Sequence, residues 1–106
     1  MPNYSRQTLT RIGRLLNTGN TGHLRKLAEF AGLRPRAMSN WTVKETDPQY
    51  RKMPPSAKRA VAMLAYFGAA GLINEERMKD IVALEAALEE EQEVQEILRN
   101  ISPLRT

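Results

Sequence analysis

The chain has 106 residues, 16 basic and 12 acidic side chains, one His and no Cys, for a formal net charge of +4. That length holds one domain with a modest core, and the lack of Cys excludes disulfides and thiolate metal sites. No apolar run approaches the roughly 20 residues of a membrane helix, and Met1–Arg6 leads into no signal-peptide core, so a cytoplasmic protein is expected.

Apolar residues recur at spacings of three and four, and alternating strand patterns are missing, so the predicted class is all-α. Ser5 caps a first helix running to about Leu16, with Leu9, Ile12, Leu15 and Leu16 on its inner face. The polar stretch 17–22 breaks it. Thr21 then caps a second helix from Gly22 to Ala31, which buries Leu24, Leu27, Ala28 and Ala31. Gly32 supplies the left-handed residue that ends a helix, and Pro35 suits the first turn of a third. This third helix turns Ala37, Met38 and Trp41 inward and fades near Lys44, before a turn at Asp47-Pro48.

Pro54-Pro55 opens a fourth helix through about Phe67, with Ala57, Ala60, Val61, Leu64 and Phe67 inward, and Gly68–Gly71 ends it. Asn74 caps a fifth that can run to Arg99. About 26 residues make a rod of roughly 39 Å, longer than a domain with a radius of gyration of about 13 Å accommodates. The rod therefore pairs with another chain, or it breaks near Glu89-Glu90-Glu91 into a hairpin. The expected architecture is a five-helix bundle, with residues 1–70 as one unit and 71–106 as an acidic helical tail within a single compact domain. Residues 102–106 are expected to fray.

Charge divides the chain the same way. Residues 1–59 hold twelve Lys and Arg against three carboxylates, and residues 60–106 hold four against nine. A basic half points to a polyanionic partner. Residues 24–43 carry the most specific pattern. Two helices crossing through a tight turn need a small residue at the crossing (Ala28) and a Gly at the turn (Gly32). They also need two apolar residues on one face of the second helix, here Met38 and Trp41. Leu24, Leu27 and Leu33 complete that core.

Leu27-Ala28, Gly32-Leu33 and Ser39-Asn40-Trp41 resemble the helix-turn-helix of the bacteriophage repressor and Cro-type (XRE-like) regulators. The five-helix layout of that family fits residues 5–67 in outline. The sequence departs from it at Arg34, where a Ser or Thr cap is usual, and after Trp41, where a Glu-x-Gly is common. Tyr50-Arg51-Lys52-Met53-Pro54 adds a looser resemblance to small phage autorepressors, including those of anti-CRISPR operons.

On a recognition helix with Met38 and Trp41 inward, Arg34, Arg36, Ser39 and Asn40 face outward. Arg bridges guanine O6 and N7, and Asn bridges adenine N6 and N7, so these are the candidate base contacts. Thr21 and Gly22 offer free N–H groups to phosphate, and Arg25, Lys26, Lys44, Arg51 and Lys52 offer charge. Leu64, Phe67, Ile81, Leu84 and Leu88 are the candidate dimerisation set, because a two-fold dimer doubles the site read by one helix. His23 is expected on the surface near the start of the second helix, and Trp41 in the core rather than on a stacking platform. No nucleophile–base pair, phosphate loop or metal-ligand cluster is visible, so no enzyme activity and no cofactor are expected.

The expected function is a homodimeric, nucleoid-associated repressor that binds a pseudo-palindromic duplex-DNA operator of its own phage or mobile element. The alternatives are the antitoxin of a toxin–antitoxin pair, whose acidic tail occupies a basic partner protein, and a phage small terminase-like assembly protein.

Overall fold

A computed structural model describes residues 2–17, 19–90 and 94–100. The protein is all-α. Helices run Arg6–Leu16 (α1), His23–Ala31 (α2), Pro35–Thr42 (α3), Pro55–Ala69 (α4), Glu75–Glu89 (α5) and Val94–Asn100 (α6). The expected bundle is present, with its fifth element realised as two helices. α5 stops at Glu89, with the Glu90 amide donating to the Ala86 carbonyl at 3.1 Å. Clustered carboxylates at a helix C-terminus oppose its dipole, which is a physical reason for a stop there. Residues 6–69 hold four helices, one fewer than the family layout implies. The fraying expected at 102–106 lies outside the described residues.

Local signals set the boundaries. The Ser5 hydroxyl accepts from the Thr8 amide at 3.1 Å, and the Asn74 side chain accepts from the Arg77 amide at 2.8 Å, each capping a helix. α2 and α4 end alike. At Gly32 (φ 70°) the Leu33 amide donates to the Ala28 carbonyl and the Gly32 amide to that of Glu29. At Gly71 (φ 72°) Leu72 and Gly71 donate to Phe67 and Gly68 in the same pattern. Both are paired 6→1 and 5→2 closures around a left-handed residue.

One expected cap is corrected. Thr21 does not cap α2; Gly22 holds that position at φ 75°, and no side chain bonds the helix start. The loop is organised instead by Asn17, whose Nδ2 donates to the Thr21 carbonyl at 2.8 Å and lies 3.1 Å from His23 Nδ1. Its Oδ1 accepts from the Gly19 amide.

α1 packs on α2 and α4, and α2 packs on α3 and α4. The shared core joins Leu9, Leu16, Leu27, Ala28, Phe30 and Met38 to Trp41, Met53, Ala57, Val61, Leu64 and Ile73. Leu15, expected inward, is 51% exposed. It lies about 100° round the helix from Leu16, and the inner face at the α1–α2 crossing belongs to Gly13. A Cβ on Gly13 would collide with the His23 carbonyl, so the missing side chain lets the two backbones meet. Gly68, inside α4, makes room for the Leu16 side chain, which a Cβ there would meet at 3.1 Å.

The N-terminal segment ties distant parts together. Asn3 Nδ2 donates to the carbonyls of Trp41 (3.2 Å) and Arg51 (2.9 Å), while its Oδ1 accepts from the Met53 amide at 2.7 Å. The Tyr4 hydroxyl donates to the Lys58 carbonyl, and the Lys58 ammonium donates to the Pro2 carbonyl, 5.9 Å from the Tyr4 ring centre. α5 meets the bundle at its N-terminal end, where Met78 packs against the core. The molecule extends 49 × 30 × 24 Å along its principal axes.

Candidate nucleic-acid interface

α2, the three-residue turn 32–34 and α3 form the helix–turn–helix spacing expected from the sequence. Pro35 occupies the first turn of α3, where a missing amide costs nothing. Met38 is 1% and Trp41 7% exposed, which fixes how the helix is rolled. At about 100° per residue, Arg36 then lies on the opposite side, with Ser39 and Asn40 on its two flanks. Arg34, Arg36 and Ser39 are exposed, and Asn40 is half-buried. The Ser39 hydroxyl reaches back to the Pro35 carbonyl at 3.5 Å.

The C-terminal end of α3 is anchored from two directions. The Arg51 amide donates to the Asn40 carbonyl at 3.0 Å, and Asn3 bonds the Trp41 carbonyl beside it. Asn3 is thus a positioning residue for this face. It lies about 40 residues from the helix it holds, so no local pattern announces it.

The cations expected to meet phosphate fall into three groups. Arg25, Lys44 and Lys52 are exposed, and Thr21 and Gly22 stand exposed at the start of α2. Arg51 is exposed, but its guanidinium Nη1 donates to the carbonyls of Pro48 (3.1 Å) and Tyr50 (2.7 Å), curling over its own loop. Lys26 is differently placed. Its ammonium sits 2.9 Å from Glu75 Oε1 and 3.9 Å from Glu29 Oε2, and 5.9 Å from the Phe30 ring centre. The hydrogen bond to Glu75 raises the Lys26 pKa above its ordinary value and lowers that of Glu75. Lys26 therefore links α2 to α5 through an exposed ion pair.

The proposed dimer residues also separate. Leu64 is 7% exposed and belongs to the chain's own core, which removes it from a free surface. Phe67 is half-buried against that core. Both line an apolar groove of about 250 Å³ with Phe30, Met63, Met78 and Ile81, between α2, α4 and α5. Ile81 and Leu88 are exposed, while Leu84 is half-buried. Among the described residues, no group of three or more His, Cys, Asp and Glu could hold a metal ion. No described helix is long and apolar enough to cross a membrane.

Sequence reasoning passed over one charged surface. α1 carries Arg6, Arg11 and Arg14 and no acidic residue. Arg6 and Arg11 flank a shallow depression with Gln7, Thr10 and Arg14, and Arg6 and Thr10 also border Gly22, His23 and Arg25 at the start of α2. The signal was present as three Arg on the polar side of one helix. Compared with known proteins, the chain matches no family model, no curated protein and no solved structure.

Proposed function

We propose that the chain is a sequence-specific duplex-DNA-binding regulator and not an enzyme, with the outward face of α3 reading base edges in the major groove. The observation that carries this reading is the roll of α3. Burial of Met38 and Trp41 leaves Arg36 directed away from the core, flanked by the exposed Ser39 and the half-buried Asn40, with Arg34 exposed at the helix start. Arg and Asn are the side chains that pair bidentately with guanine and adenine. Arg25, Lys44, Arg51 and Lys52, with the open start of α2, supply phosphate contacts that fix orientation.

The regulator acts as a homodimer and, by the resemblance of residues 24–43, as a repressor of its own phage or mobile-element operon. The apolar groove beside Phe67 and Ile81 supports pairing through α4 and α5, which gives half-sites about 10 base pairs apart or a multiple of that. Selection of bound sequences from a random duplex pool, with molar mass measured in parallel, tests the reading. An enriched two-fold motif is expected, and Arg36→Ala or Asn40→Ala should each cost about 1–3 kcal/mol on that motif without shifting the melting temperature. Recovery of no motif, or variants that bind it like the parent, would overturn it.

A further inference from the structure

We infer that the arginine stripe of α1 is a second contact surface for the phosphate backbone of a DNA duplex, formed by Arg6, Arg11 and Arg14 and continuous with Arg25. This rests on the DNA reading above and assigns part of the interface to a helix outside the helix–turn–helix. All four guanidinium-bearing residues are exposed, and none is paired with a carboxylate among the described residues. α1 has no acidic residue to offset them. Lys26, beside Arg25, pairs with Glu75 at 2.9 Å. The unpaired positive charge along α1 and the start of α2 therefore comes from Arg6, Arg11, Arg14 and Arg25.

Arg6 and Arg14 are about 12 Å apart along the helix axis, and Arg14 and Arg11 lie about 80° and 140° round it from Arg6, so the three form a patch around one depression across which a duplex backbone can lie. Its position relative to α2 is fixed: the side-chain-free face of Gly13 lies against the His23 backbone, so α1 and the α2 start present one surface. A lipid surface is a poor match. A membrane-lying helix needs its apolar face outward, and Leu9 and Leu16 of α1 are buried in the core. Thr10 bonds the Arg6 carbonyl at 2.8 Å, which steadies the first turn of the stripe.

The test compares parent, Arg6→Gln/Arg11→Gln/Arg14→Gln and the corresponding triple Lys variant on two duplexes, the selected motif and a random sequence, across salt. Each phosphate contact contributes about 0.9 to the slope of log K against log salt, so the triple Gln variant should lower that slope by about 2.7 on both duplexes. The ratio between the duplexes should hold, and the triple Lys variant should keep the parent slope. A Gln variant with the parent slope overturns the stripe and leaves the α3 reading standing. A Gln variant that loses the ratio also overturns it, because the stripe would then be reading sequence. A parent that binds neither duplex overturns both readings. Single Arg11→Gln, with an expected drop of about 0.9, replaces the triple variant if the latter melts below the parent.

Discussion

The bundle of α1–α4 and the α5–α6 pair differ in how they are held. In the bundle, side chains from Leu9 to Ile73 close on one core, and Asn3, Tyr4 and Lys58 sew the N-terminal segment across it. In α5, Ala87 is the one buried side chain among those described, while Ile81, Val82 and Leu88 stand in solvent. The bundle closes on its own core, with Leu15, Met63 and Tyr66 exposed at its surface, whereas α5 displays apolar surface that a second surface would bury. A helix stabilised mainly by packing needs an apolar face covered. The charge division of the sequence follows the same line, basic through residues 1–59 and acidic from α5 onward.

The contrast can be broken most forcefully at Trp41. Trp41→Ala should destabilise the bundle by about 3–5 kcal/mol in urea unfolding, because it empties a large core position. A variant that melts like the parent but fails to bind DNA would move Trp41 out of the core and into the interface. Asn3→Ala comes next, at about 1–3 kcal/mol, since it leaves the Met53 amide and two carbonyls without their partner. Faster hydrogen exchange at Met53 should accompany it. Unchanged exchange there would show that the N-terminal clasp does not hold the end of α3.

On α5 the expected sign is different. Leu88→Glu, at a residue 57% exposed, should leave stability within about 0.5 kcal/mol at low concentration. If α5 meets a second copy, the same variant should lower the molar mass in light scattering. A large loss of stability in a monomer would erase the distinction between the two regions. The smallest effect belongs to the Lys26–Glu75 pair, exposed and screened by salt. The lowered Glu75 pKa adds stability above its ordinary 4.5, lost as pH falls through the folded value. The raised Lys26 pKa adds stability below 10.5, lost as pH rises through its folded value. Glu75→Gln should flatten both limbs of the melting profile; a Gln variant with the parent's profile would show that the pair does not join α5 to α2.

Much of the bundle was legible locally. Ser5, Gly32, Pro35 and Asn74 act where their chemistry suggests, because caps and left-handed closures are decided by a few neighbouring residues. Met38 and Trp41, three apart, settled the roll of α3. Leu15 was misplaced because an apolar residue was preferred over Gly13 for the inner face, and only the approach of α2 explains a glycine there. Phe30 and Met53 joined the core without having been expected, one at the α2–α4–α5 groove and one in the loop before α4.

The sequence by itself determined the helical class, the approximate extents of the first four helices, the inward faces of α3 and α4, and the segregation of charge. These are properties of short windows, where periodicity and capping act within a turn or two. The tertiary structure decided which cations remain available, what anchors the end of α3, and which apolar residues serve the chain's own core. Lys26 and Glu75 are 49 positions apart, Asn3 and Met53 are 50 apart, and Leu64 and Leu88 look alike until one is buried and the other is not. Such pairings depend on the path of the chain in space, which no local pattern encodes.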